Sequence, residues 1–302
     1  MDILGFGAIS MDHVIYVDQP LSSGKGRVTR RITAHGGNVA TALVTAARLG
    51  ASAGFVGWLN SDTKQDPSSR DLLANGVDIS HAPKHPDATA VQSTITVAPD
   101  GERFIAYDDD VMTGTTPDLS DDLLRAASVL LIDGYAVSSL DVVARASHLG
   151  LPIVADIEWT APSGTDRLLD LADHLVLPMG YARQHTGCDT PAEIASAFWT
   201  SDRTAVVLTD GEAGSFVLRR GHTDCEHIPA FKTPVIDTTG AGDCFHGAYA
   251  VALSEGRDIL DCVRFASASA ALSVTGRGGR EALPTRDAVE RLMAEKPNVS
   301  SR

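Results

Sequence analysis

Asp237-Thr238-Thr239-Gly240-Ala241-Gly242-Asp243-Cys244-Phe245-His246-Gly247 is the stretch whose reading decides the rest of this chain. The β-prone run Thr233-Pro234-Val235-Ile236 precedes it, and the helix-forming run Ala248-Tyr249-Ala250-Val251-Ala252-Leu253 follows. The expected local structure is a strand end feeding a small-residue turn that opens a helix. Gly240, Ala241 and Gly242 leave backbone N–H groups uncovered at that helix start, where the dipole favours an anion. Small residues let a phosphate come close to the backbone. Asp243 repels a phosphate, so its presence makes sense where a hydroxyl must lose its proton while attacking that phosphate. The ordinary alternative is an N-terminal cap, with Asp243 satisfying orphan amides.

The full string matches Asp-Thr-x-Gly-Ala-Gly-Asp-x-Phe without a mismatch. It resembles the signature of the PfkB (ribokinase-like) carbohydrate kinases. The resemblance implies that Asp243 is the catalytic base and that the amides of Gly240, Ala241 and Gly242 form the anion hole. It also implies an α/β fold: a ribokinase-like three-layer domain with a mainly parallel central sheet, plus a small antiparallel β lid.

Working outward, 302 residues allow one large α/β domain with a small appendage, or two domains. Hydrophobic content of 43% and charged content of 21% are ordinary for a soluble globular protein. A net charge of −14 argues against nucleic acid and anionic membrane surfaces as partners. Cys188, Cys225, Cys244 and Cys262 are scattered, which points to reduced thiols and a cytoplasmic setting. The chain opens directly as a strand at Ile3 to Gly7, without a charged leader, and no apolar run approaches the ~18 residues of a membrane span. Gly5-Phe6-Gly7 begins a dinucleotide fingerprint, but the third glycine is missing.

From residue 120, apolar strands alternate with helices: strands at Val129 to Ile132, Ile153 to Ala155, Leu175 to Leu177 and Ala205 to Thr209. That rhythm predicts a parallel sheet covered on both faces, with ligands beyond the carboxyl ends of its strands. Asp133, Asp156, Thr209 and the Asp237–Asp243 turn fall at such ends. Segments 12–34 and 88–110 alternate polar and apolar residues instead, and Pro99-Asp100-Gly101 turns the second back on itself. They are expected to form a lid that excludes water, and the sequence leaves open whether that lid pairs two chains as a homodimer. The α/β domain is assigned to 1–11, 35–87 and 111–294, and 295–302 to a tail.

Gly36-Gly37-Asn38 opens a second helix that ends at Gly50. Glycines there let a ligand reach backbone N–H groups, and Asn38 both donates and accepts; the alternative is a capped helix. Beside the Asp243 turn, this start resembles the first PfkB signature. The resemblance places the acceptor sugar on Asp12, Gly36, Gly37, Asn38 and Thr41. Ribokinases carry Asn at the position of Thr41, whereas Asn at position 38 is shared with ketohexokinases. Thr209-Asp210-Gly211-Glu212-Ala213-Gly214 resembles the family's Thr-x-Gly-x-x-Gly, which implies that Thr209, Gly211 and Gly214 lie along ATP. Ser267 takes the position that flanks adenine. The Thr275–Gly279 loop, with Asp237 and Thr239, matches the site that holds a monovalent cation, K+, in many members. The family's Asn-x-x-Glu is replaced by Pro178 and Tyr181, so Mg2+ is expected to arrive with ATP, with Asp156 and Glu158 as candidate carboxylates.

The pattern is closest to sulfofructose kinase and ketohexokinase-like members, through Ser23-Gly24-Lys25, Thr238 to Ala248, Val263 to Ser267 and Gly278-Gly279-Arg280. Lys25 would meet an anionic group on the sugar, or be a solvated lid residue. Gly134-Tyr135 stands where those kinases carry an Arg, which weakens an anion contact. His81 and His85 have helical metal spacing, but Pro83 between them excludes a zinc helix. The sequence therefore points to an ATP-dependent kinase acting on a primary hydroxyl of a small carbohydrate, with a ketose favoured. The alternatives are a phosphosugar or sulfosugar kinase, a nucleoside kinase of the same fold, a non-catalytic sugar-binding regulator, and a dehydrogenase, which the missing fingerprint disfavours.

Overall fold

Strands with both faces apolar make up most of the central sheet, as parallel strands must when helices cover them on either side. The computed structural model describes residues 1–100, 102–161 and 163–295. In chain order the strands are β1 (Ile3–Phe6), β2 (Ser10–Val17), β3 (Val28–Gly36), β4 (Ala53–Phe55), β5 (Leu59–Asn60), β6 (Lys84–His85), β7 (Val91–Val97), β8 (Arg103–Asp108), β9 (Val129–Asp133), β10 (Ile153–Asp156), β11 (His174–Pro178), β12 (Ala205–Thr209), β13 (Ser215–Arg219) and β14 (Glu226–Ile228). The helices are α1 (Asn38–Arg48), α2 (Pro67–Ala74), α3 (Asp121–Arg125), α4 (Leu140–His148), α5 (Thr165–Leu171), α6 (Met179–Thr186), α7 (Pro191–Ala197), α8 (Ala241–Ser254), α9 (Ile259–Ser273) and α10 (Arg286–Glu295).

The main sheet has eight strands in the order β14-β13-β12-β11-β10-β9-β1-β4. It is parallel from β4 to β12, and β13 and β14 extend it antiparallel. Alternate residues feed two apolar layers. Ile3, Leu131, Val154 and Val207 face α1, α8 and α9, whereas Leu4, Leu130, Ile153 and Val206 face α4 to α7. This is the three-layer α/β arrangement expected. Among the described residues no helix is long and apolar enough to cross a membrane.

The second sheet runs β3-β2-β7-β8. Its outer pairs are antiparallel hairpins, but the central seam between β2 and β7 is parallel. The chain returns to the main domain between the hairpins, so their first strands meet side by side in the same direction. Two further departures concern the main domain. Thr233–Ile236 belongs to no strand: Pro234 removes a donor, Val235 and Ile236 are exposed, and the Ile236 N–H donates to the Val274 carbonyl at 2.8 Å. Helix α6, β13, β14 and the short β5–β6 pair lie outside the pattern read from sequence.

α1 and α8 pack backbone to backbone. A Cβ added to Gly247 would lie 2.2 Å from the Ala42 carbonyl oxygen. Gly247→Ala is therefore expected to lower the free energy of unfolding by about 1–3 kcal/mol, the cost typical of overpacking. Denaturant unfolding measures it, and an unchanged midpoint would show that the helices have room to spare.

Candidate active site

The turn before α8 is held by Asp237, whose Oδ1 accepts from the Thr239 N–H (2.9 Å) and hydroxyl (2.7 Å) and whose Oδ2 accepts from the Gly278 N–H (3.0 Å). Gly240 caps the helix with φ 74°, a left-handed conformation suited to glycine. The Ala241 N–H turns back to the Thr238 carbonyl at 3.2 Å, while Gly242 is exposed. Asp243 follows in the first turn of α8, half-buried.

Two residues from the end of β10 complete an acidic group. Carboxylate oxygens of Asp156, Glu158 and Asp243 all lie within 4.8 Å of one another. Asp156 is buried: its Oδ2 accepts from Asn38 Nδ2 at 3.2 Å and lies 3.3 Å from His246 Nδ1, whereas Oδ1 is buried without a partner. His246 spans this floor, with Nδ1 2.8 Å from the Gly242 carbonyl and Nε2 2.9 Å from that of Val176. Burial, then the charges of Glu158 and Asp133, raises Asp156 well above the usual carboxylate range. Burial, then Asp156 and Glu158, does the same to Asp243, against the downward pull of Arg280. Asp133, at the end of β9, is pushed up to about 6 by burial, although it accepts from the Ala8 and Tyr135 N–H groups. Crowded carboxylates with one unsatisfied buried oxygen suit a divalent cation, a hard ion that takes oxygen ligands.

The corner predicted to hold the acceptor adjoins this floor. Asp12 lies against Gly36, and its Oδ1 accepts from Ser10 Oγ (3.0 Å) and Ser93 Oγ (2.5 Å). Gly37 caps α1, and Asn38 ties that helix start to Asp156. Asp12, Gly36, Gly37 and Asn38 thus gather at one corner, which Asn38 joins to Asp156 and so to the acidic group. Thr41 is buried beneath them, and its hydroxyl accepts from Arg280 Nε at 3.0 Å, so it meets this corner through that guanidinium. Lys25 is exposed in the loop between β2 and β3. Arg280 and His246 join the site through tertiary contacts, and a basic residue after Gly278-Gly279 is the sequence signal for the first.

Thr209 ends β12, and Gly211 and Gly214 bound the single turn leading into β13. Ser267 is buried within α9. A cavity of about 230 Å3 opens between the lid sheet, at Asp12, Val14 and Ile95, and the turn ahead of α8, at Val235, Thr239 and Gly279. All four cysteines are free, and burial raises the Cys244 thiol, which suits a packing role.

A mainly parallel sheet with a carboxylate in the first turn of a helix, beside a polar corner and a second sheet, fits a phosphotransferase acting on an alcohol. The profile of the family described as pfkB family carbohydrate kinase matches residues 2–286, and the chain belongs to that family. It is 29% identical over 297 residues to the ribokinase of Haemophilus influenzae, covering 93% of this chain and 94% of that one. Its fold is that of the Arabidopsis thaliana ribokinase complexed with ribose and ATP (TM-score 0.84, 24% identity, 97% of this chain and 98% of that chain). It is likewise that of an Escherichia coli ribokinase II in complex with ATP and Mg2+ (TM-score 0.80, 22% identity, 97% and 99%). The protein is a carbohydrate kinase.

Asp243→Asn separates a base from a cap. An acid whose folded pKa is raised stabilises the fold at low pH and loses that contribution as pH rises through the folded pKa. At pH 8 the amide is therefore expected to raise Tm by about 2 °C or more in the absence of divalent metal, and to lower kcat at least ~10²-fold when Mg2+ is present. A lower Tm with near-normal turnover would make Asp243 a structural cap.

Proposed function

We propose that the chain transfers the γ-phosphoryl group of ATP to a primary hydroxyl of a small carbohydrate, a ketose-type acceptor being favoured. The observation that carries this reading is the meeting of the Gly36–Asn38 corner with Asp243 across Asp156. Asp12 and Asn38 orient the acceptor hydroxyl, and the lid excludes water that would otherwise accept the phosphoryl group. Asp243 takes the hydroxyl proton late, as charge passes to the phosphoryl oxygens. Backbone at Gly240, Ala241 and Gly242, at the positive end of α8, stabilises that charge. Thr209, Gly211, Gly214 and Ser267 line the path of the nucleotide in this reading.

Magnesium supplies positive charge against the phosphoryl oxygens when bound. Asp156 and Glu158 are the carboxylates that would hold it beside Asp243, in place of the missing Asn-x-x-Glu. The Asp237–Thr239 loop is the candidate position for K+. Raised pKa values at Asp156 and Asp243 agree with a site built to meet a cation.

A second reading has its own support. The lid face of the cavity is apolar, with Val14, Ile32, Ile95 and Val97 opposite Val235 and Ile236, which suits an acceptor that carries an apolar group, such as a nucleoside. ADP release with a panel of ketoses, aldoses, their phosphates and nucleosides, with Mg2+ and with chelator, tests both. Metal-dependent release with at least one sugar is expected. Release with nucleosides alone selects the second reading, and none above the acceptor-free background rejects a kinase.

A further inference from the structure

Arg280 sits at a junction that neither the base nor the acceptor corner accounts for. Its own segment is fastened to the turn ahead of α8. The Gly278 N–H donates to Asp237 Oδ2, and a Cβ on Gly240 would lie 2.7 Å from the Cα and carbonyl oxygen of Gly279. The Arg280 side chain reaches the other way, with only 12% of it exposed. Nε donates to Thr41 Oγ1 at 3.0 Å on α1, and one terminal nitrogen donates to the Gly36 carbonyl at 2.9 Å at the end of β3. The other pairs with the Asp71 carboxylate on α2. One planar fork thus joins β3 and α1 of the acceptor corner, and α2 beside them, to the loop that touches the turn ahead of α8.

We propose that Arg280 is a positioning residue that sets the distance between the acceptor corner and the Asp243 turn. This rests on the reading of Asp243 as base and of Gly36–Asn38 as the acceptor corner. Packing of α1 on α8 fixes the helix axes, but the caps Gly37 and Gly240 lie outside the helices, and axes alone do not register the two caps with each other. Gly36 and Arg280 are 244 residues apart in sequence, so this tether closes the site across almost the whole chain. Burying a guanidinium is costly unless its donors are met, and here Asp71, a hydroxyl and a carbonyl meet them. The charges of Asp12 and Asp243 also face it. A displacement of about 1 Å between reacting groups costs up to ~10²-fold in rate, so a rigid three-way link acts on kcat without touching the reacting atoms.

The test compares Arg280→Met, Arg280→Lys and Asp71→Asn with the wild-type chain, using the best acceptor from the panel. Arg280→Met is expected to lower kcat on the order of 10²-fold with the KM for ATP within about twofold. Arg280→Lys should recover less than about tenfold of that loss, because an ammonium cannot reproduce the planar fork. Asp71→Asn should fall between Arg280→Met and wild type. Hydrogen exchange should show faster exchange at residues 36–41 in Arg280→Met, with β9 and β10 unchanged. A folded Arg280→Met with kcat within about threefold of wild type overturns the proposal, as does a loss shared equally by kcat and nucleotide affinity. Where Arg280→Met does not fold, wild-type kcat in both Arg280→Lys and Asp71→Asn overturns it. A wild-type chain that releases no ADP with any acceptor fails the kinase reading instead. Exchange at residues 36–41 then still decides the tether, and unchanged exchange rejects it.

Discussion

Three carboxylates held within one ion's reach are the constraint on which the rest of this structure depends. Asp156, Glu158 and Asp243 would repel one another in water and separate; here β10 and α8 do not let them. Burial and mutual repulsion together raise Asp156 and Asp243, so the scaffold stores an unfavourable arrangement at one place. Such an arrangement is of use where positive charge must gather and where a carboxylate must accept a proton.

The scaffold meets this demand by rigidity. β10 is buried along its length, and the Asp156 side chain is gripped by Asn38 from α1 and approached by His246 from α8. α1 and α8 touch backbone to backbone, which sets the two helix axes, and Arg280 links the Gly36 end of β3 and Thr41 of α1 to the loop against the turn ahead of α8. The smaller sheet, by contrast, meets the site along an apolar face, and that face is suited to closing over an acceptor. In the proposed reaction a fixed floor and a separate cover divide the work: the floor places charge, and the cover removes water.

Much of this was legible in the residues. The Asp237–Gly247 string marks the helix start, because small residues ahead of a helix-forming run signal one, whereas the role of Asp243 as base is implied by the family resemblance and stands as a proposal. Strand–helix alternation after residue 120 gave the parallel sheet, since strands covered on both faces leave continuous apolar runs. What escaped depends on tertiary context. Thr233–Ile236 has strand propensity but no neighbouring strand to bond, and α6 begins at Met179 after a proline without a clear apolar face. The parallel seam between β2 and β7 follows from the route of the chain between two hairpins, which local pattern does not record. Thr41 is an expected acceptor contact, and its hydroxyl also accepts from Arg280, a pairing across 239 residues that no spacing rule reveals. Long-range side-chain contacts are where one sequence, read alone, is least informative.

The central claim is that a phosphoryl group passes between the start of α8 and the Gly36–Asn38 corner. A crystal structure of the chain with Mg2+ and a non-hydrolysable ATP analogue tests it most directly. The account predicts the terminal phosphate over the Gly240–Gly242 backbone, with the metal between it and the Asp156 and Glu158 carboxylates. A nucleotide whose terminal phosphate points away from α8, with Asp243 facing only protein, would contradict it.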